Sequence, residues 1–484
     1  MNYRQVVKIL CLILRCIGLL MLLPAVVGLL NHEPSAGSFF LTTGILLVVS
    51  CVSFLFKPKD KSIYAREGFV IVALSWLLMG VFGALPFVIS GTIPNFVDAF
   101  FEIVSGFTTT GASILPDVEA LPRCMLFWRC FSIWIGGMGV LVFLMAILPL
   151  AGGRDMHLLR AEAPGPSVGK LVPKMRRTAM LLYGMYIVLT LVEIVLLLIG
   201  GMNPFDAVTH AFSNAGTGGF GNYSSGISHF DSAYIDIVIT VFMLLFSINF
   251  NLYYLILLKQ VKDAFKDEEL RWFLVILALS LIVVVGGILP LYDSFASALR
   301  YGSFQVASIV STTGFATADF SRWPMISQAG LLFLMFMGGC AGSTAGGIKC
   351  SRFVILVKSV FRELRRTAHP RSVSVLKMGG QTLDEETVSG TTMYLLTYLC
   401  ILILGFLLVA INGYDFTTTF TAVLTCLNNV GPGLGAVVGP MGSFAPLSAL
   451  SKVVLSVLML IGRLEIFPVL MLFVPGVWRK RRKN

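Results

Sequence analysis

The chain has 484 residues, of which 56% are hydrophobic and only 13% charged, and its formal net charge is +11. Soluble domains carry about 25% charged residues, so this supply cannot cover a water-facing surface and a soluble globular class is excluded. The basic excess does not mark a nucleic-acid binder either. It is gathered in blocks between apolar runs: Arg4 and Lys8, Lys57 to Arg66, Arg154 to Arg177, Lys259 to Arg271, Arg352 to Lys377 and Arg479 to Lys483.

Taken in chain order, ten apolar stretches approach or exceed the ~20 residues that a helix needs to cross a bilayer. They are 7–30, 38–56, 67–90, 124–151, 178–200, 233–258, 272–291, 329–348, 391–411 and 453–475. The first follows basic residues as a signal peptide would, but it runs to Leu30 without a small-residue cleavage site and reads as a retained span. Four further segments, roughly 97–110, 204–217, 302–313 and 415–430, are too short to cross. They read as re-entrant, a form tolerated where protein or a water-filled path surrounds the backbone. The loops between the basic blocks carry Glu33, Asp117, Glu119, Asp231 and Asp319. The positive-inside rule then places both termini and every basic loop in the cytoplasm, provided each re-entrant segment returns to the outer side. The nine cysteines lie mostly inside apolar spans, show no metal-ligand spacing and read as reduced, buried thiols.

The re-entrant segments are related to one another. Thr108-Thr109-Thr110-Gly111, Thr217-Gly218-Gly219, Ser311-Thr312-Thr313-Gly314 and Asn428-Asn429-Val430-Gly431 each end a small or hydroxyl-rich stretch in glycine. Asp98-Ala99 stands before Gly111 at the same offset as Asp206-Ala207 before Gly219. Gly136-Gly137 follows the first motif much as Gly338-Gly339 follows the third. Self-similarity in register marks an internal repeat, here span, half-length helix, glycine turn, span. A cation entering a low-dielectric slab must replace its hydration oxygens, and backbone carbonyls aimed at one axis do so. Such aim needs backbone angles that glycine accepts, and each short helix turns the negative end of its dipole toward the ion. Close packing through small residues is the competing account of any single motif, but four in register favour a pore. The predicted fold is an all-α polytopic membrane protein with four pore repeats in pseudo-fourfold symmetry. The divisions are 1–66, two N-terminal transmembrane helices; 67–151, 152–258 and 259–360, repeats one to three; 361–387, a cytoplasmic loop; 388–475, repeat four; and 476–484, a basic tail.

With these motifs the sequence resembles the TrkH/KtrB group of bacterial potassium-uptake subunits across residues 67–475. The strongest likenesses are Gly338-Gly339-Cys340-Ala341-Gly342-Ser343-Thr344-Ala345-Gly346-Gly347-Ile348-Lys349, then Asn428-Asn429-Val430-Gly431-Pro432-Gly433, then Gly462-Arg463-Leu464-Glu465-Ile466-Phe467. The two extra spans before residue 67 place it nearer TrkH. The resemblance implies a potassium selectivity filter at Thr109, Thr110, Gly111, Thr217, Gly218, Gly219, Thr312, Thr313, Gly314, Asn429, Val430 and Gly431. Potassium would be held by backbone carbonyls there as the transported ion. Ala215-Gly216-Thr217-Gly218 and Asn-Asn-Val depart from a uniform filter and imply looser selectivity. Serine at the first-repeat glycine goes with sodium in such proteins, so Gly111 favours potassium. A homodimer in the bacterial inner membrane is also implied, docked on a cytoplasmic nucleotide-binding ring of the TrkA type. The polar loops of this chain are too short to bind a nucleotide themselves.

Glycine costs a helix ~1 kcal/mol per residue, so the span carrying Gly338, Gly339, Gly342, Ser343, Thr344, Gly346, Gly347 and Lys349 should break near its middle. By resemblance this stretch obstructs the path beneath the filter and moves on gating; small-residue helix packing is the other reading. It lacks the Gly-Lys-Ser/Thr ending of a phosphate-binding loop, and Ser343 has no evident base to make it a nucleophile. No enzymatic activity is expected. Arg463 and Glu465 lie within the last apolar run, where charge is costly and function is the default reading. Two apart, they do not face each other on a helix, so each needs its own partner or water. Arg463 either opposes cations below the filter or forms a structural ion pair. Arg129 and Lys452 are expected to snorkel at outer span ends, Asp98 and Asp206 to cap short helices, and Arg15 and Glu193 receive no role.

Overall fold

The computed structural model describes residues 1–55, 65–147, 175–371 and 375–478. Of the basic stretches expected at 57–66, 152–177 and 476–484, residues 57–64, 152–174 and 479–484 lie outside the described residues. Among the described residues the fold is all-α apart from a small antiparallel hairpin, Lys377–Met378 paired with Gln381–Thr382.

Among the described residues, five helices are long and apolar enough to cross a membrane, or up to seven if each of two bent pairs counts as one span. Two bends overturn the expectation of continuous spans. The run 233–258 turns by 92° between Ala233–Ser247 and Phe250–Leu257, and the run 453–475 turns by 117° between Ala449–Arg463 and Phe467–Phe473. Asn249 starts a new helix by accepting from the Asn251 amide at 2.9 Å. Glu465 and Ile466 take positive φ of 56° and 69°, which no helix continues through. Of the other expected spans, Ala36–Cys51 and Met325–Phe336 are helices of 16 and 12 residues, and Arg123–Ile147 has 25.

Four short helices, Phe96–Phe107, Pro204–Ala215, Phe295–Val310 and Phe416–Asn428, occupy the re-entrant positions. Their N-caps are Asn95, Asn203, Ser294 and Asp415, each accepting from an amide of the first turn. Asp98 and Asp206 are therefore not the caps. Each short helix packs on a span of its own unit and on the span that closes the preceding unit. The first packs on Ala449–Arg463 as well as on Ala65–Ser90, so the circle is complete. The two N-terminal segments, Tyr3–Leu30 and Ala36–Cys51, lean on Ala65–Ser90 and Arg123–Ile147 at the periphery.

Candidate functional site

The short helices all end in one way. The amides of Thr110, Gly218, Thr313 and Val430 donate to the carbonyls of Ser105, Ser213, Ser308 and Thr425 at 2.8, 2.9, 2.9 and 2.9 Å. These are the six-to-one bonds of a Schellman end, which needs a left-handed residue just before. That residue is Thr109, Thr217, Thr312 or Asn429, with φ of 55°, 55°, 57° and 55°. Glycine or asparagine is usual there; an L-residue with a Cβ pays about 1–2 kcal/mol. Three β-branched threonines held this way are observed strain, of the kind that collects at functional sites. Two positions on, Gly111, Gly219, Gly314 and Gly431 are left-handed too, with φ of 81°, 68°, 82° and 100°. Left-handed residues at alternate positions turn successive carbonyls toward one side of the strand.

The four turns close on one another. A Cβ on Gly111 would lie 1.9 Å from the Gly218 oxygen, one on Gly219 2.1 Å from that of Thr313, and one on Gly314 2.2 Å from that of Val430. One on Gly431 would lie 2.6 Å from the Thr110 oxygen. Turn one thus rests on two, two on three, three on four and four on one. Both the backbone angle and the missing space demand glycine at these positions. The amide of Asn429 adds a side-chain link from turn four to turn one, donating to Thr110 Oγ1 at 2.9 Å. On the side where the chain leaves each turn, all four glycines open into a cavity of about 280 Å³, walled by residues such as Ser113, Tyr223, Ala316 and Phe444.

Three buried polar side chains stand beside the strands that leave the turns, two of them bonded to those strands, and sequence reasoning passed them over. Glu102 accepts from the Ile114 amide at 2.9 Å and from Ser113 Oγ at 3.0 Å. Gln305, its oxygen turned to the chain, accepts from the amides of Thr317 and Ala318 at 2.9 and 3.2 Å. His210 is the third; its Nδ1 donates to the Asp206 carbonyl at 2.8 Å, and its ring packs against Phe230 and Phe315. Each stands at the same offset before its turn's glycine, which is the signal that could have found them. In the fourth unit that position is Ala422, and Thr421 takes over by accepting from the Leu434 amide at 2.9 Å.

Glu102 also explains Arg129, which does not snorkel. Arg129 is 1% exposed, pairs with Glu102 at 2.7 Å and lies over the Phe220 ring at 4.2 Å. Lys452 likewise pairs with Asp98 at 2.6 Å. Asp206 accepts from Asn222 Nδ2 at 2.6 Å and the Tyr223 hydroxyl at 2.9 Å. Arg129→Ala strands a buried carboxylate, and breaking a buried pair costs about 3–5 kcal/mol. A lower unfolding temperature in detergent is expected; a transition matching that of Arg322→Ala, an exposed pair, would show Glu102 held well enough without its cation.

Beneath the ring, the helix Met325–Phe336 stops and the chain resumes as Cys350–Ala368. Between them residues 337–349 fold into a loop. Met337 and Ile348 form a parallel bridge at its base, and Gly338 N donates to the Ile348 carbonyl at 2.9 Å. A Cβ on Gly338 would meet the Gly346 oxygen at 1.9 Å. Gly342 and Gly347 are left-handed, with φ of 73° and 71°. The loop fills the bend after Ser247: Cys340 N donates to the Ser247 carbonyl at 2.9 Å, and Phe250 N to the Gly342 carbonyl at 3.2 Å. Gly339 packs on Ser247, and Ser343 Oγ turns back to the Cys340 carbonyl at 2.6 Å. Gly346 N reaches up to Thr312 Oγ1 at 2.6 Å, directly under turn three. Lys349 donates its ammonium to the Ala345 carbonyl.

Arg463 joins this loop to the opposite side. Its Nη1 donates to the Thr344 carbonyl at 2.7 Å and its Nη2 to the Gly136 carbonyl at 3.0 Å. Gly136 in turn has room for no Cβ, since one would sit 1.9 Å from the Phe107 oxygen under turn one. Glu465 has a separate partner, Arg352, at 2.7 Å, and the Arg352 guanidinium lies over Tyr394. The two unassigned charges also find neighbours. Arg15 donates to Ser50 Oγ at 3.3 Å, and Glu193 accepts from Asn214 Nδ2 at 2.5 Å, behind turn two.

A family model described as TrkH, cation transport protein, matches residues 38–480. The Trk system potassium uptake protein TrkH of Vibrio parahaemolyticus is 38% identical over 492 residues, covering 99% of this chain and 100% of that protein. TrkH of Salmonella typhimurium is 37% identical over 488 residues with the same coverage, and TrkG of Escherichia coli is 36% identical over 472, 96% of each. The crystal structure of the potassium transporter TrkH from Vibrio parahaemolyticus superposes with a TM-score of 0.89 at 36% identity, covering 99% of this chain and 100% of that one.

Proposed function

The chain belongs to the TrkH family of cation transport proteins, and from that premise we propose that it is a potassium-uptake subunit conducting through the ring of four turns. The closed ring carries this reading: four backbone strands, each with two left-handed residues, meet with no room for a side chain at any glycine. Backbone carbonyls at such a constriction replace a cation's hydration shell without a fixed counter-charge. The four short helices add their negative ends. Turn two with Gly218 and turn four with Asn429-Val430 lack the paired threonines of the others, which makes the filter looser than one of four identical strands.

In this reading the repeats run as the sequence divides them, and the loop at 337–349 obstructs the path below the ring, with Arg463 holding it in place. Both termini face the cytoplasm of a bacterial inner membrane, on the strength of the basic blocks. The partners are a second copy of the chain, each copy with its own pore, and a TrkA-type nucleotide-binding ring that moves the loop. In liposomes, rubidium uptake is expected to follow the rubidium gradient alone. Strict dependence on a sodium or proton gradient would replace the pore with an ion-coupled secondary transporter.

A further inference from the structure

We infer that Glu269 is a positioning residue: it latches the 337–349 loop to the start of the helix that follows it, which its neighbour Glu268 ties to the cytoplasmic hairpin at Lys377–Thr382. The inference rests on the reading of that loop as the gate. Glu269 lies in the first turn of Glu268–Ile288 and is 1% exposed. Its Oε1 accepts from two amides at once, Ala341 N at 2.8 Å and Ser351 N at 2.9 Å. One is inside the loop; the other opens the helix Cys350–Ala368. That helix receives no cap from the side chain of its own N-cap residue, Lys349. The Glu269 carboxylate fills that place from another span, where the helix dipole favours a negative charge. A single oxygen therefore fixes the distance between Ala341 in the loop and the first turn of the helix that follows it.

Its neighbour Glu268 holds a point further along the same helix, Cys350–Ala368. Glu268 pairs with Lys358 of Cys350–Ala368 and accepts from the Gly379 amide at 2.8 Å, in the turn of the hairpin. Lys358 also donates to the Lys377 carbonyl at 2.7 Å. Two adjacent carboxylates on one rigid helix thus hold the loop and the hairpin, the part of this region that a cytoplasmic partner can reach. A pull on the hairpin is delivered to Cys350–Ala368 and, through Ser351, to the oxygen that seats the loop.

Rubidium uptake into liposomes by the full chain tests this. Glu269→Ala should raise uptake on the order of tenfold, the effect of losing about one charge-assisted hydrogen bond. Glu269→Gln, which keeps an acceptor oxygen in place, should stay near wild type, and Glu269→Asp, too short to reach both amides, should fall between. Removing residues 342–347 should raise uptake by itself, and Glu269→Ala should then add nothing. If that deletion leaves uptake unchanged, the gate reading fails; if it raises uptake while Glu269→Ala does not, only the latch fails. A Glu269→Gln variant as leaky as Glu269→Ala also overturns it. Buried thiols report fold independently. Cys340 and Cys350 should gain reactivity toward a small thiol reagent in Glu269→Ala or Glu269→Asp, while Cys130 and Cys426, buried elsewhere, stay protected. Labelling of all four together means general loss of structure and overturns the latch.

Discussion

Gly111→Ser is expected to cut the preference for potassium over sodium by roughly tenfold or more, since left-handed strain alone is about 1–2 kcal/mol and 1.4 kcal/mol is a factor of ten. The strain is only part of the effect. The new Cβ would stand 1.9 Å from the Gly218 oxygen, so the second turn must move with the first. Paired measurements of potassium and sodium flux check this. Gly91→Ser is the control: Gly91 is also left-handed, with φ of 74°, but nothing lies within 4 Å of its missing Cβ. It should carry similar strain and leave ion preference alone. Gly431→Ala should be the gentlest of the four ring changes, because its Cβ would sit 2.6 Å from the nearest oxygen. Unchanged preference in a folded Gly111→Ser protein would take the ring out of ion selection.

Arg463→Ala should raise rubidium flux, also on the order of tenfold, because a hydrogen bond to a charged group contributes roughly 1.5–3 kcal/mol. The guanidinium grips two carbonyls on opposite sides beneath the ring, Thr344 in the loop and Gly136 under turn one. Losing it frees the loop and removes a positive charge from below the ring, and both changes act in the same direction. Arg463→Lys separates them, since an ammonium keeps the charge but lacks the fork that spans both carbonyls. It should lie between wild type and alanine. Reduced flux in a folded Arg463→Ala protein would make the residue a structural tie alone.

The ring glycines were legible because a constraint on the backbone alone leaves little choice of residue, and it recurs four times in register. Glycine density likewise announced an interruption after Phe336. The bends after Ser247 and Arg463 were hidden for a complementary reason. A run of apolar side chains records that a segment is surrounded by apolar matter, and says nothing about its direction. Asn249 and Glu465 stand at the breaks, but Asp236 and Ser456 lie in the same runs and mark none, so polarity alone did not single the breaks out. Arg129 was misread because its partner Glu102 lies on a different helix, brought near by packing that no local pattern encodes. The equivalent positions of Glu102, His210 and Gln305 were readable in principle, but only by aligning the repeats on their glycines rather than by residue type, since the three differ in chemistry.

The closed order of the turns has a consequence for how the protein is made. Turn one leans on turn four across 319 positions of chain, the separation of Thr110 and Asn429. At ~5–20 residues per second of synthesis, roughly 15 to 60 seconds pass between the emergence of the two. Throughout that interval Thr110 has no Asn429 to bond and the fourth neighbour of the ring does not yet exist. The first three units can insert as they are translated; the ring becomes a ring only when the last arrives. A chain that ends before Gly431 lacks the fourth side of the ring, and with it the turn against which both turn three and turn one pack.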